Sequence, residues 1–368
     1  TLYAAQTLYA AQTLYAAQTL YAAQTLTWQQ VNGNGFGDPD AGEVSALVVF
    51  DGQLYAGTHN PVDGARIFRS PDGLTWSPVI NPGFDNAHDT RPPAILDLAV
   101  FRSRIYACTG KGDGPGQIWR AVDGVTWAPM VIHGFGDRDI KDITSLIEYK
   151  NYLYAGATHA IKGAQIWRSP TGDNNSWKQV TPAAPAGAGS RVTGMAIFND
   201  LLYVAVETDG VPLRIWSSDG ATWQTVVGNG FGSRFTTLAG GMAELGGSLY
   251  LGAGHDVEGA QLWRTTGSTG WEQAIDPGFG DPANQEVETV FVWQNQLYAS
   301  VRNSQTGIEV WRSADGANWE QINPDGFGDS KTSSSNGNHA IAGFLGDLYL
   351  GTLNALEGGE LWRLNIQP

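Results

Sequence analysis

One spacing constrains this 368-residue chain more than any other feature. Leu-Tyr recurs at Tyr55, Tyr154, Tyr203, Tyr250, Tyr298 and Tyr349, with Ile-Tyr at Tyr106, in steps of 47 to 51 residues. An aromatic stands 13 residues after each Tyr: Phe68, Trp119, Trp167, Trp216, Trp263, Trp311 and Trp362. One offset held through seven copies describes equal structural units, each of which buries its apolar face only by stacking on its neighbours.

Each unit reads as four short strands. In the first, VSALVVF (44–50) is an almost continuous apolar run, suited to a strand buried on both faces. Asp51-Gly52 supplies a hairpin turn, QLYAGT and ARIFRS follow, Pro71-Asp72-Gly73 turns the chain again, and LTWSPVI forms the last strand. Four strands per repeat with turn chemistry between them is the pattern of a β-propeller blade. A second Trp marks the fourth strand at Trp76, Trp127, Trp177, Trp223, Trp271 and Trp319, six for seven units. The missing member is Trp28: it precedes Phe36 by 8 residues, as Trp76 precedes Phe84 and Trp319 precedes Phe327. The spacing therefore predicts an all-β, seven-bladed propeller over residues 27–368, closed by a strand at 27–32 that completes the last blade beside 338–364.

That leaves residues 1–26 outside the ring as four copies of TLYAAQ and a final TL. A helix would scatter its Leu residues around the axis, because a period of six advances each by about 120° from the last. A strand keeps every copy in phase, with Thr, Tyr and the second Ala on one face and Leu, the first Ala and Gln on the other. The segment is free of charge, Pro and Gly, which suits stacking between strands of different molecules. Leu2, Tyr3, Gln6, Leu8, Tyr9, Gln12, Leu14, Tyr15, Gln18, Leu20, Tyr21 and Gln24 are the expected contacts of a self-assembling arm.

Composition narrows the partners. Lys and Arg number 21 against 36 Asp and Glu, a net charge of −15, which argues against nucleic acid and anionic membranes, both of which need clustered cations. Cys108 is the single cysteine, so neither an intrachain disulfide nor a Cys-based metal site forms. No apolar run is long enough to span a membrane as a helix. Few Lys and much Gly, Trp and Thr favour an extracellular or cell-surface setting.

SPDGLTW, AVDGVTW, SSDGATW and SADGANW resemble the Asp-box repeat of sialidase-type propellers, with a loop one residue shorter and with SPTGDNNSW and TTGSTGW departing further. The whole unit, from LYAGT through GAQIWRS to NPDGFGD, is also similar to propeller repeats of large bacterial and archaeal surface proteins. The resemblance implies fold, with the Asp capping backbone N–H groups of a turn, and carries no catalytic residue over.

Residues that break the repeat on the loops around one end of the ring are the candidates for a ligand mouth. Arg91, Arg138, Arg191 and Arg234 fall in four consecutive loops from a fourth to a first strand, opposite acids including Asp38, Glu43, Asp281, Glu286 and Asp329. His59, His159 and His255 fall in loops between second and third strands, spread around the rim rather than converging on a metal. Asp137 and Asp139, or Asp38 and Asp40, offer carboxylate pairs of the kind calcium takes, but no cofactor is expected. The sequence reading is a non-enzymatic, extracellular protein whose arm pairs with copies of itself to build a fibre or surface layer. The alternative is a glycan-binding lectin or adhesin using the mouth, and the second alternative a sialidase-like glycan hydrolase.

Overall fold

The computed structural model describes residues 26–366 apart from 90–91, 182–186, 188, 268 and 335–338. Of the arm expected over residues 1–26, residues 1–25 lie outside the described residues, as does Arg91, while Leu26 belongs instead to the strand Leu26–Gln30. Regular structure among the described residues is strand and short 3-10 turn.

The strands pair in the order the repeat dictates. Glu43–Phe50 runs antiparallel to Gln53–His59, which pairs with Ile67–Ser70 and then Ser77–Pro78. The same hairpin order recurs from Ala94–Phe101, Ile140–Tyr149, Ser190–Phe198, Thr236–Leu245 and Asn284–Trp293. Second strands are the most buried, because their apolar residues face neighbouring sheets on both sides: Leu54, Tyr55 and Ala56 are buried, as are Leu153, Tyr154 and Ala155. Four outermost strands are shorter than the sequence suggests, whereas Trp127–Val131 and Trp223–Val227 keep five residues each. Ser77–Pro78, Lys178–Gln179, Glu272–Gln273 and Glu320–Gln321 are two-residue, exposed segments. Short polar edges limit pairing with other molecules.

At the chain ends, Leu26–Gln30 runs antiparallel to Leu361–Ile366, with Trp28 opposite Leu364. Leu361–Ile366 in turn pairs with Asp347–Leu353, and that strand with Ile341–Phe344. The Trp28 indole N–H donates to the Ile322 carbonyl at 2.8 Å.

The aromatic repeat is a set of joints between sheets. Each GFG-type turn holds its Phe at positive φ and stacks it on the aromatic of the next sheet: Phe84 on Trp119 at 4.1 Å, Phe231 on Trp263 at 4.2 Å, Phe327 on Trp362 at 4.3 Å. The fourth-strand Trp closes over the same ring from the side, as Trp319 does on Phe279 at 5.6 Å. The repeated Tyr reaches the opposite way. A Cβ on Gly124 would lie 1.9 Å from the Tyr55 hydroxyl, and one on Gly73 would lie 1.9 Å from that of Tyr349. Both glycines also have φ near +72°, so only Gly fits the turn.

The Asp of each short box caps its turn as the sequence implies. Asp72 Oδ1 accepts the N–H groups of Leu74 and Thr75 at 2.8 and 2.7 Å, and Asp123, Asp219 and Asp315 repeat the arrangement. These backbone donors hold the carboxyls of Asp123 and Asp315 down to about 2.

Candidate functional site at the channel mouth

The first strands converge on a cavity of about 400 Å³ whose wall includes Lys111, Asp142, Arg191, Glu207, Glu286, Glu288, Arg302 and His339. Its residues come from a few equivalent positions of the repeat. Seven residues before the aromatic or Leu that ends each first strand stand Glu43, Asp142, Arg191, Leu238 and Glu286. Five before it stand Leu96, Thr144, Thr193, Gly240, Glu288 and His339. Four after the repeated Tyr stand His59, Glu207 and Arg302. Alternation along a strand sends these positions to one side, and a small bulge in most first strands separates them from the packed core.

Charges at the mouth are paired with each other. Lys111 Nζ donates to Glu43 at 2.7 Å, and His59 Nδ1 lies 3.4 Å from the same carboxylate. Arg191 bridges Glu207 and Asp209. Arg302 sits between Glu286, at 2.8 Å, and Glu288, at 3.2 Å. The Lys111 backbone N–H donates to Asp142 Oδ1 at 2.7 Å. Burial pushes the Glu286 carboxyl up to about 7, against the pull of Arg302. Burial, with Glu286 beside it, raises Glu288 far above its ordinary range, and burial raises Glu207 as well.

Below this cavity lies a second, of about 250 Å³, walled largely by Leu47, Leu98, Leu146, Met195, Met242 and Phe291. His339 borders both. Its Nδ1 is 3.2 Å from Asp97 Oδ1, while Asp97 Oδ2 accepts the Leu146 N–H at 2.7 Å. Burial pushes the Asp97 carboxyl up to about 6 despite His339.

The residues singled out from the sequence divide into two groups. Arg191 and Glu286 line the mouth cavity, and Glu43 and His59 adjoin it through the Lys111 ion pair. Of the three described arginines expected there, Arg191 lines the cavity, whereas Arg138 and Arg234 do not. Arg138 is exposed and turns to His133 at 3.2 Å, and Arg234 lies over the Phe235 ring at 4.6 Å. Both stay on the loop before the first strand, whereas Arg191 stands inside Ser190–Phe198.

Asp38, Asp137, Asp281 and Asp329 are latches between two loops of one sheet. Each takes a backbone N–H two residues on: that of Asp40, Asp139, Ala283 or Lys331. Their second oxygens meet Asn60 at 2.9 Å, His159 at 3.1 Å, Asn303 at 3.3 Å and Asn354 at 3.3 Å. His255 does the same work against Ser233 at 2.9 Å. The partner of His159 and His255 in the first repeat is thus Asn60, not His59, which stands one residue earlier. In His159, Nδ1 accepts the N–H groups of Ile161 and Lys162, so the proton sits on Nε2 and points at Asp137. Asp137, Asp139 and His159 are near enough to surround a cation. An Nε2 that donates its proton cannot ligate one, and Asn60 and Asn354 fill the same position without metal-binding nitrogen.

Lys111, Glu207, Glu288, Arg302, Asp97 and His339 escaped the sequence reading, which looked for loop arginines. The signal was present on the strands: Asp97, Glu288 and His339 interrupt runs that are apolar or small in the other repeats, as in VSALVVF against VETVFVW.

No family model matches the sequence, and no curated protein matches it. Solved structures do. YCF48 from Cyanidioschyzon merolae is similar at 12% identity and a TM-score of 0.60, over 92% of this chain and 98% of that one. An ulvan lyase of polysaccharide lyase family 25, bound to -[GlcA(1-4)Rha3S]-, is similar at 12% identity and 0.57, over 92% and 95%. An ancestral GH74 enzyme is similar at 12% identity and 0.59, over 94% of this chain and 52% of its own. At such identities the likeness shows the fold alone, which is all-β and propeller-like.

Proposed function

We propose that this chain is a seven-bladed, ring-closed β-propeller whose channel mouth binds a saccharide. Three observations support the ring: the strand Leu26–Gln30 paired to Leu361–Ile366, the Trp28 ring against Phe327, and the Tyr349 hydroxyl against Gly73. The observation that carries the binding reading is the mouth cavity, where charged residues that vary from repeat to repeat converge while the repeated aromatics stay in packing. At about 400 Å³ it lies within the usual range for small-ligand pockets. Its lysine and arginines are already committed to carboxylates, so it offers little net positive charge to an anion. Alternating acceptors and donors suit vicinal hydroxyls and ring oxygens, and Leu96, Val192 and Leu238 supply apolar wall for a sugar's C–H face. The solved lyase and GH74 enzyme, both carbohydrate-active by name, make the ligand class a natural one for this architecture.

Calorimetric titration of the full chain with neutral and uronic-acid oligosaccharides tests the reading. Binding should weaken about tenfold or more in Arg302→Met, which leaves buried Glu286 and Glu288 without their partner, and in Glu207→Gln, which removes the buried charge that holds Arg191 at the cavity wall. Absence of binding to every sugar, or binding untouched by both substitutions, overturns it.

The self-assembly reading rests on residues 1–25 and so on no described residue. Deleting them and observing particle size by light scattering checks it.

A further inference from the structure

The wall of the mouth cavity continues inward on the same strands. Two residues after Leu96, Thr144, Thr193, Glu288 and His339, which line the mouth, stand Leu98, Leu146, Met195, Val290 and Ile341, which line the second cavity. Two residues of extended chain span about 7 Å at most, so the walls of the two cavities adjoin. Leu47 and Met242 hold the same place in the two remaining first strands, three residues before the aromatic or Leu that ends the strand. All seven repeats thus give a Leu, Ile, Val or Met to one collar, whereas the position above it ranges from Gly240 to Glu288.

The collar differs from the repeated positions that serve packing alone. The Leu of the repeated Leu-Tyr is enclosed completely, as at Leu54, Leu153 and Leu297, all 0% exposed. In the collar Leu146 keeps 6%, and Met195 and Met242 are half-buried. These side chains present apolar surface to a cavity of about 250 Å³. The side chains lining it are apolar apart from Asp97 and His339, which face each other at 3.2 Å. An aliphatic cavity of about 150 Å³ already holds a benzene molecule, so this one has room for an aryl ring or a short alkyl chain. Met195 and Met242, unbranched and flexible, adapt their shape to either.

We propose that the second cavity is an aglycone subsite, so that the ligand is an aryl or short alkyl glycoside rather than a wholly polar glycan, an inference that rests on the saccharide-binding reading. The sugar's hydroxyls meet the charged wall of the mouth, and its apolar substituent points inward past His339 into the collar. The two cavities supply affinity differently. Each sugar hydroxyl exchanges hydrogen bonds to water for hydrogen bonds to the wall, with a small net gain, whereas the substituent gains by leaving water.

The experiment uses the full chain and the methyl, butyl and phenyl glycosides of the oligosaccharide that calorimetry finds to bind most tightly. The phenyl glycoside should bind about tenfold or more tighter than the methyl glycoside, and each methylene toward butyl should add up to about fourfold. Met195→Gln and Met242→Gln place a polar group in the collar and should each reduce the phenyl gain to about threefold or less. Both variants should keep the affinity of the wild type for the methyl glycoside, which also shows that they fold. A crystal of the wild type with the phenyl glycoside should place the ring between Met195 and Met242. Equal affinity of the wild type for the methyl and phenyl glycosides overturns this inference and leaves the binding reading standing. A phenyl gain untouched by both variants, or a ring seated outside the collar, overturns it as well. A wild type that binds no saccharide removes the binding reading and this inference together.

Discussion

Trp28 meets the ring of Phe327 nearly edge-on, with centroids 5.2 Å apart and planes 72° from parallel, although the two stand near opposite ends of the chain. Phe327 lies flat on Trp362 in the same joint. An N-terminal residue thus fills the place that Trp76, Trp127 and Trp319 fill in their own sheets.

Trp28→Ala removes that ring and should destabilise the protein by about 2–4 kcal/mol, as loss of a packed aromatic usually does. Trp28→Phe keeps a ring but strips the Ile322 carbonyl of its donor, and should cost about 1 kcal/mol. Urea unfolding followed by Trp fluorescence separates the two. Equal stability of Trp28→Ala and wild type would mean that the end strands do not hold each other.

Gly73 and Tyr349 join the first and last repeats without a covalent link. Gly73→Ala places a methyl against the Tyr349 hydroxyl and on a left-handed backbone, with an expected loss of about 2–4 kcal/mol. Tyr349→Phe in the same chain relieves the contact with the hydroxyl oxygen and should recover part of the loss. A double-mutant cycle by thermal unfolding measures the coupling. Strict additivity would place the two residues apart.

His159 occupies a position that other repeats fill with Asn60, Asn303 and Asn354. His159→Asn should therefore change stability by less than about 1 kcal/mol, and His159→Ala should cost about 1–3 kcal/mol by leaving Asp137 and two backbone N–H groups without their partner. Calcium added to the wild type should leave the melting temperature unchanged, because the His159 nitrogen facing Asp137 carries a proton. A calcium-dependent rise in the wild type that His159→Ala abolishes would revive the metal reading.

The buried carboxyls give the protein a definite pH dependence. Asp97 and Glu286, held up to about 6 and about 7 mainly by burial, bind protons in the native state that the unfolded chain has already lost. Stability from these groups is present below the ordinary carboxylate range and is lost as pH rises through 6 to 7. The melting temperature should fall between about pH 5 and about pH 8, and Glu286→Gln should flatten that slope. The box carboxyls of Asp123 and Asp315 work in the other direction. Their contribution is complete above the ordinary carboxylate range and is lost only as pH falls toward 2. Calorimetric scans across both ranges check the signs.

The repeat was legible because packing writes the same residue at the same place: the Tyr, the Trp and the box Asp each perform one task in sheet after sheet. The latch was half legible. Asp38 and Asp137 stood out as loop acids, but nothing in the sequence says that His159 and Asn60 are interchangeable, since the equivalence lies in which side-chain atom faces two backbone N–H groups. The mouth was least legible. Glu207 and Arg302 end a second strand, whereas Glu288 and Asp97 stand within first strands. Only the convergence of strands from different repeats brings them to one cavity.

Crystals of the full chain soaked in the tightest-binding oligosaccharide test the central claim most directly. The account predicts sugar density in the mouth between Arg302, Glu207 and His339, with Lys111 still on Glu43. Sugar bound on the outer rim while the mouth holds only solvent would contradict it.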